Sequence, residues 1–391
     1  MEKLYIEKME QAVEYLKEND IDLWLIYASE GSDPCVPLVL GLKTIGRTFF
    51  LITKEGKKYS IASIIDAQES EDSGLFDKVY KYTSESEKVL RQVIEEINPE
   101  KIAINYSVDD NLCDGLTAGR YRWLMKALGD KYASKCVKSE VFLKKIRSIK
   151  SSEEVARIQK AIDITLDIYD EVFSQLKTGL TEYEVGEMFL EGMKKREVVN
   201  GNTKQLTMPM ILKERISHRD PGSAVIEPGD FLIMDFSVDY KGYVSDIART
   251  AYFLKDGETK APEVMQKRFE AAHGAITLVK ENIKPGMCGY ELDDIARNHL
   301  LSLGMPAITH ATGHQVGRFT HDGGTLLGPK WERYATAPYE KVEEGMVFTI
   351  EPTILFDNGD YSILTEEIIL VKKDGAEFMS KRQNELILIR K

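Results

Sequence analysis

The chain has 391 residues, of which 43% are hydrophobic and 30% charged, as is typical of a soluble globular protein. This length exceeds what one ordinary hydrophobic core supports, so we expect two domains. The net charge of −12 excludes a typical nucleic-acid-binding protein, which needs a basic surface, and it suits an anionic membrane surface poorly.

The cysteines and the apolar runs indicate where the protein works. Four cysteines lie far apart without CxxC spacing, so they indicate neither a zinc finger nor a disulfide framework. The first eight residues, MEKLYIEK, contain no apolar signal core, and no apolar run approaches the length of a membrane span. We therefore expect a cytoplasmic protein with reduced cysteines.

The first 145 residues mix helical and strand-like segments. Helical periodicity covers residues 1–19, 85–97 and 115–128. Apolar runs typical of strands cover residues 23–28, 48–53, 59–63 and 102–107. This mixture predicts an α/β domain over residues 1–145, and we find in it no cluster of ionisable residues that indicates catalysis.

A helix start follows the expected domain link. Residues 142–151 lead into a segment in which Ser151 or Ser152 is placed to cap a helix, with Glu154 near its first turn. An ordinary loop before a helix has the same pattern. We place the domain boundary here, so that the second domain covers residues 146–391.

The second domain contains a weak internal repeat with a spacing of 107 residues. The repeated pairs are Gln159-Lys160 with Gln266-Lys267, Lys177-Thr178-Gly179 with Lys284-Pro285-Gly286, and Tyr183-Glu184-Val185 with Tyr290-Glu291-Leu292. These identities arise either by chance or from two helical halves related by an approximate two-fold axis.

Two aspartates follow strand-like runs in this domain. Asp235 ends the apolar run 231–234, and Asp246 comes eleven residues later, after the sequence KGY and before the apolar stretch 250–254. This layout predicts adjacent antiparallel strands joined by a turn at Gly242, with both carboxylates converging from neighbouring backbones. Taken alone, an aspartate after a strand is more typical of a turn or cap.

Three more candidate ligands follow in the last third of the chain. His314 lies in the glycine-flanked segment 311–317, and Glu351 and Glu366 each border a β-branched run. With the two aspartates they form a set of hard donors that suits Mn²⁺, Co²⁺, Fe²⁺ or Zn²⁺. Four carboxylates gather in a core only where cations neutralise them, so the set predicts a two-metal site.

The segments around these residues resemble the motifs of the creatinase/aminopeptidase P metallopeptidases, the pita-bread family M24. The matching segments are MDF at 234–236, GYVSDIART at 242–250, GHQVG at 313–317 and EGMVFTIEP at 344–352. His321 and Glu366 also stand at family positions. The resemblance is close over residues 138–391 and loose before them.

This resemblance implies an α+β fold. Its N-terminal part is a creatinase-like α/β domain, residues 1–145, and its C-terminal part is a pita-bread domain, residues 146–391, with a curved antiparallel sheet and pseudo-two-fold symmetry. The helices expected on one face of that sheet cover residues 152–176, 182–197, 262–283 and 290–303.

The resemblance also implies a role for each ligand. Asp246 and Glu366 bridge two divalent ions, Asp235 binds one ion, and His314 and Glu351 bind the other. Ions about 3.5–4 Å apart lower the pKa of a bridging water and stabilise an oxyanion, and Glu351 takes the proton of the attacking water. We expect two Mn²⁺ ions per chain, with Co²⁺, Zn²⁺ or Fe²⁺ as alternatives.

Three further histidines stand at positions of the family's substrate pocket. His218 and His321 are implied to be catalytic, donating hydrogen bonds to the scissile carbonyl or the tetrahedral species, and His310 binds substrate beside them. The two remaining histidines, His273 and His299, lie in helical stretches, and we interpret them as ordinary helix residues.

Four features depart from the family pattern. The usual HGTGH reads HATGH at 310–314, and the segment 208–216 before His218 is about four residues shorter than usual. Arg219 stands where a glycine is common, and Leu364 stands where proline-specific members often carry an arginine that braces a bridging ligand. The metal ligands are intact, but the pocket walls differ.

The favoured function is a metal-dependent exopeptidase that cleaves Xaa-Pro bonds in dipeptides or at peptide N-termini. We expect a homodimer that acts on peptides, with no nucleic-acid or membrane partner. The alternatives are a creatinase-like enzyme hydrolysing a C–N bond of a small guanidino compound, and a binding protein with a degenerate site. The intact ligand set argues against both, and methionine aminopeptidases usually lack an N-terminal domain of this size.

Overall fold

In the computed structural model, which describes residues 3–108, 110–213, 218–356 and 361–390, the chain divides into two units, Met1–Arg147 and Ser148–Lys391. The helices of the first unit are α1 (Lys3–Glu18), α2 (Cys35–Val39), α3 (Ala67–Ser73), α4 (Ser86–Ile97), α5 (Ala118–Ala133) and α6 (Glu140–Ser148). Its strands are β1 (Leu23–Ala28), β2 (Thr48–Thr53), β3 (Lys58–Ser63), β4 (Lys78–Tyr82), β5 (Ile102–Ile104) and β6 (Cys136–Lys138).

These strands form one mixed sheet in the order β4-β3-β2-β1-β5-β6. All residues of the central strand β1 are buried, as expected for a strand covered on both faces. One face packs Leu25 against apolar residues of α4 and α5, among them Leu90 and Leu124. On the other face the Trp24 ring meets Phe142 of α6 edge-on at 5.1 Å. The α/β architecture expected for this part of the chain is confirmed.

The sequence did not reveal every element of the first unit. The edge strand β4 (KVYKY) carries lysines, which protect an exposed sheet edge but hide the strand pattern, and β6 has only three residues. The segment interpreted as the domain link contains most of α6, because Phe142, Leu143 and Ile146 form one buried helical face.

The second unit combines four helices with ten strands within the described residues. The helices are α7 (Ser152–Phe173), α8 (Glu182–Lys195), α9 (Glu263–Asn282) and α10 (Gly289–Ser302). The strands are β7 (Val199–Asn200), β8 (Met210–Lys213), β9 (Phe231–Phe236), β10 (Val238–Tyr240), β11 (Tyr243–Val244), β12 (Ile247–Phe253), β13 (Val347–Ile350), β14 (Glu367–Lys372), β15 (Gly375–Phe378) and β16 (Ile387–Ile389). The sheets have the orders β16-β12-β9-β8, β11-β10-β7 and β13-β14-β15.

All four helices expected from the sequence are confirmed, with ends that differ by at most a few residues. Local capping explains why α7 and α8 begin where they do. The Ser151 side chain accepts from the backbone N–H of Glu154 while the Glu154 side chain accepts from that of Ser151, and Thr181 and Glu184 repeat this capping box at α8. None of the helices described is long and apolar enough to cross a membrane.

The internal repeat corresponds to two similar halves of the second unit. Before α8, Gly179 has φ +89° and its N–H donates to the carbonyl of Ile226 at 2.8 Å. Before α10, Gly286 has φ +96° and donates to the carbonyl of Val342 at the same distance. The repeated glycines therefore serve the same turn in each half, since positive φ favours glycine.

A long hairpin carries the two aspartates. Strands β9 and β12 pair antiparallel, with Asp235 opposite Ala248, and the turn lies at Lys241 and Gly242, which both have positive φ. This two-residue turn with two positive φ angles matches the twist of the strands, so the turn predicted at Gly242 is confirmed. Short strands β10 and β11 form the hairpin tip, in a different sheet from β9 and β12.

Candidate metal centre

A cavity of about 300 Å³ opens in the second unit, and every predicted site residue lines it. The lining comprises Asn202, Met210, Leu212, His218, Ile233, Asp235, Asp246, His310, Ala311, His314, His321, Leu326, Tyr334, Glu351, Thr353, Leu364 and Glu366. The five candidate ligands come from widely separated parts of the sequence, so the fold brings them together. The segment before His218 includes residues 214–217, which lie outside the described part of the chain.

The paired strands β9 and β12 bring the two aspartates to the same end of the hairpin ladder, with Asp235 inside β9 and Asp246 directly before β12. The hydroxyl of Tyr169, on α7, lies 2.8 Å from the carbonyl oxygens of both Met234 and Ile247, which are the neighbours of Asp235 and Asp246. One buried side chain therefore ties the two strands together at the ligand positions. The Asp235 Oδ1 atom is buried and finds no hydrogen-bond partner among the described residues.

The segment carrying His314 runs beside β13. The backbone N–H of Thr349 donates to the carbonyl of His314 at 2.9 Å, and the N–H of Glu351 donates to that of Thr312 at 2.8 Å. A Cβ at Gly313 would lie 2.1 Å from the carbonyl oxygen of Thr349, so only glycine permits this close approach. The Nε2 atom of His314 consequently lies 3.3 Å from Oε1 of Glu351.

Helix α10 anchors this histidine segment from the other side. Asp293 is fully buried and accepts from the backbone N–H of Thr312 at 3.1 Å and from its hydroxyl at 2.8 Å. Arg297 pairs with Asp293 at 2.9 Å and donates to the carbonyl of His310 at 3.1 Å. The ion pair fixes the backbone between His310 and His314.

Arg249 connects the strands that carry the two proposed bridging carboxylates. From β12 it donates to the carbonyl oxygen of Glu366 at 2.8 Å and pairs with the Glu367 carboxylate at 3.2 Å. Both charged side chains are buried, so each requires the other. Although Leu364 replaces the arginine that often braces this region in the family, the backbone of Glu366 is therefore still held by an arginine.

The distances within the cavity support binding of a cation. One oxygen each from Asp246 and Glu366 and one ring nitrogen of His314 lie within 4.8 Å of one another, and all three residues are buried. The Nε2 atom of His314 is 3.7 Å from Oδ2 of Asp246. Asp235 and Glu351 line the same cavity outside this closest group.

Electrostatics show why a cation fits these residues. Burial, followed by repulsion from Glu351, raises the pKa of Asp235 to about 7. Burial and neighbouring carboxylates also raise the pKa values of Asp246 and Glu366 well above their usual range. Burial alone lowers the pKa of His314, but the hydrogen bond and charge of Glu351 outweigh it and raise the pKa to about 9. These buried carboxyls resist ionisation unless positive charge lies beside them, and divalent metal ions supply that charge.

These raised pKa values predict a pH-dependent stability of protein freed of metal by chelation. In the unfolded chain an aspartate titrates near ~3.9, so Asp235 with a pKa of about 7 binds more protons in the folded state between these values. Its stabilising contribution is complete below about pH 4 and is lost as the pH rises through 7.

We therefore expect Asp235→Asn, which cannot titrate, to reduce the loss of thermal stability between ~pH 5 and ~pH 8. Between these pH values the difference in melting temperature between parent and variant should change by several degrees, because about 1 kcal/mol corresponds to roughly 2–4 °C for a domain the size of the second unit, Ser148–Lys391. Differential scanning fluorimetry of chelated samples measures it. Equal pH profiles of parent and variant would contradict the raised pKa.

The histidines of the cavity lie around the ligand group. The rings of His314 and His321 are 4.3 Å apart between centroids, with His321 exposed at the cavity rim. His218 is also exposed, whereas His310 is half-buried with Nδ1 2.6 Å from the carbonyl oxygen of Ala311. The structure places His273 and His299 in α9 and α10, away from the cavity lining.

Sequence reasoning missed an apolar wall of the cavity. Strand pairing sets Met210 opposite Asp235 and Leu212 opposite Ile233, so these side chains share one face of the sheet. Leu364 packs against Leu212 and Ile233 in the same apolar cluster. The alternation of residues 210 and 212 is the only sequence signal for this wall, and two positions are too few to establish a pattern.

Comparison with known proteins places these features in context. The chain matches Metallopeptidase family M24 over residues 156–373. It is 27% identical over 385 residues to an Xaa-Pro dipeptidase of Pyrococcus horikoshii. This match covers 97% of this chain and 99% of the relative.

Solved structures resemble the whole chain. A structure titled Xaa-Pro dipeptidase from Bacillus anthracis matches with a TM-score of 0.76 and 22% identity, over 98% of this chain and 100% of that one. A structure titled X-Pro aminopeptidase from Thermotoga maritima matches with a TM-score of 0.73 and 21% identity. This match covers 97% of this chain and 99% of that one. At these identities the likeness concerns the fold, and it confirms the α+β pita-bread architecture predicted from the sequence.

Proposed function

Because the chain belongs to metallopeptidase family M24, we propose that it is a metal-dependent exopeptidase that cleaves the bond between a first residue and a following proline. The observation that carries this proposal is the buried group of Asp246, His314 and Glu366 in a cavity that three more histidines line. The peptidase names of the relatives support the substrate class. We assign catalysis to a pita-bread domain of residues 146–391, and we assign residues 1–145 to an N-terminal domain with a creatinase-like α/β fold.

Five side chains hold the metal in this proposal. Asp246 and Glu366 would serve both of two ions, Asp235 would hold one of them, and His314 and Glu351 would hold the other, and we propose Mn²⁺ because the donors are rich in oxygen. When bound, two divalent ions supply a water of lowered pKa and positive charge near a developing oxyanion. The buried, unpartnered Oδ1 of Asp235 supports its assignment as a ligand.

Glu351 is the proposed general base. Burial alone raises the pKa of its carboxyl, but the hydrogen bond and charge of His314 outweigh burial and hold the pKa below its usual value. The ionised carboxylate then accepts the proton of the attacking water. His218 and His321, exposed at the cavity, donate hydrogen bonds to the scissile carbonyl oxygen, and His310 helps to bind the substrate.

The apolar wall of Met210, Leu212, Ile233 and Leu364 supports a substrate with a rigid apolar ring. Met210 stands opposite Asp235 on the neighbouring strand, so a prolyl ring bound at this wall would lie next to the reacting bond. An apolar pocket discriminates between substrates by shape. Two substrates that differ by one methylene group in such a pocket differ by about 10- to 200-fold in kcat/KM.

We expect the enzyme to prefer proline in the second position. At equal manganese loading, kcat/KM for Ala-Pro-Ala should exceed that for Ala-Ala-Ala by about tenfold or more. Three further substrates test the other activities. Ala-Pro tests dipeptidase activity, Met-Ala-Ser tests methionine aminopeptidase activity, and creatine tests creatinase-like activity. Equal rates on Ala-Pro-Ala and Ala-Ala-Ala would remove the preference for proline, and activity on creatine alone would favour the non-peptidase alternative.

We further propose that the enzyme acts as a homodimer in the cytoplasm. The dimer follows from the resemblance of the N-terminal part to domains that often form dimer interfaces, and light scattering of purified protein tests it. The location follows from four free cysteines, which are typical of a reducing compartment.

A further inference from the structure

The carboxylate of Glu182 is a point at which the fold holds described backbone on both sides of His218, at Lys213 and at Gly222. Glu182 is the first residue of α8, and its side chain is fully buried. Its Oε1 accepts from the backbone N–H of Lys213 at 2.7 Å, and its Oε2 accepts from that of Gly222 at 2.8 Å. One side chain therefore binds the backbone on both sides of His218.

Arg219 completes this arrangement with a two-pronged ion pair. Its Nη1 donates to Oε2 of Glu182 at 2.7 Å and its Nη2 donates to Oε1 at 2.8 Å. Burial alone raises the pKa of Glu182, but Arg219 and the two backbone donors outweigh it and lower the pKa. Paired hydrogen bonds of this geometry fix direction as well as distance.

The position of the ion pair links it to the cavity. Arg219 directly follows His218, which lines the cavity, and Lys213 ends β8, whose Met210 and Leu212 line it as well. The N–H of Tyr183 donates to the carbonyl of Gly222 at 2.9 Å, so the far end of the segment is also held on α8. The ion pair thus joins a rigid helix to the neighbour of a proposed catalytic histidine.

We propose that Glu182 and Arg219 are positioning residues that hold His218 in its place beside the scissile bond. This inference rests on the proposed function, because it assigns His218 to the reaction. Arg219 stands where the resembling family commonly has glycine, so this chain has a charged anchor at a position where a glycine side chain could form no ion pair. Both residues act through His218 and neither lines the cavity.

Activity measurements with Ala-Pro-Ala test the proposal. Arg219→Gly and Glu182→Gln should each lower kcat by about 10- to 100-fold, the scale of a misplacement near 1 Å, with KM and manganese content close to the parent. Arg219→Lys should recover part of kcat, because it restores the charge without the forked geometry. The double variant His218→Ala/Arg219→Gly should be no slower than His218→Ala, since both changes affect one group.

Arg196→Ala is the matched control, because Arg196 forms a comparable ion pair with Glu171 at 2.7 Å at the other end of α8. It should keep the parent kcat. Additive losses in the double variant, or parent-like kcat in Arg219→Gly, would overturn the positioning role.

The Glu182 carboxylate, its hydrogen bonds from the backbone N–H groups of Lys213 and Gly222 and its ion pair with Arg219 together form a clamp. Hydrogen exchange of these two backbone amides tests the clamp without a measurement of enzyme activity. Mass spectrometry should show faster exchange of both amides in Arg219→Gly and Glu182→Gln, and parent-like exchange in Arg196→Ala. If the parent hydrolyses no peptide, the proposed function fails while this measurement still decides whether the clamp exists. Unchanged exchange in both clamp variants would overturn the clamp itself.

Discussion

Asp246→Ala is expected to lower kcat/KM on Ala-Pro-Ala by roughly 10⁴-fold or more and to remove the bound metal. The change deletes the carboxylate that lies with His314 and Glu366 in the closest group of donors. Bound metal ions contribute several kcal/mol to such reactions, and each 1.36 kcal/mol corresponds to about tenfold in rate. Elemental analysis of gently purified parent should find more than one equivalent of metal, and the variant should lose it.

The control for this experiment is Asp239→Asn, a carboxylate in the same hairpin that lies outside the cavity lining. Its Oδ1 accepts from the N–H of Gly242 at 2.8 Å, and asparagine retains that acceptor. We expect parent-like activity and metal content. A parent protein that stays fully active after exhaustive chelation would contradict the proposed metal mechanism.

His321→Ala and His218→Ala are each expected to lower kcat by about 10²–10³-fold, the usual scale for the loss of one oxyanion donor. Metal content should remain at the parent value, because neither residue belongs to the proposed ligands. The ring of His321 lies close to that of His314, which is a proposed metal ligand. The metal content of His321→Ala therefore tests whether His321 is a hydrogen-bond donor to the substrate or a metal ligand. Inductively coupled plasma mass spectrometry and steady-state kinetics provide the two readouts.

His273→Gln is the control histidine, since it lies in α9 and lines no described part of the cavity. It should keep both kcat and metal content. Loss of metal in His321→Ala would assign His321 to the ligands, and unchanged kcat in both pocket variants would remove the histidines from the mechanism.

Local patterns in the sequence determined much of the fold. The helices α7 and α8 begin at capping boxes that involve residues three apart, and the turn of the long hairpin is formed by neighbouring residues, with positive φ at Lys241 and Gly242 and a hydrogen bond from Gly242 to Asp239. Such features arise from interactions within one turn or one strand pair, so the sequence carries them directly. The strand β4 and the helix α6 were missed because an edge strand rich in lysine and a short amphipathic helix have weak local patterns.

The candidate ligands were also identified from the sequence, since each lies in a long motif. The tertiary structure brings all five candidate ligands into one cavity. It does so by pairing β9 with β12 and β13 with β14. Their chemistry follows from residue type, whereas the raised pKa values of Asp235 and Asp246 follow from burial and repulsion between carboxylates.

Only the tertiary structure revealed the residues that support the site. Glu182 meets Arg219 across 37 positions of sequence, and Arg249 reaches the backbone of Glu366 across 117. The apolar wall likewise joins Leu212 with Leu364. Single charged or apolar residues far apart in the chain form no periodic pattern, so their partners become known only when folding brings them into contact.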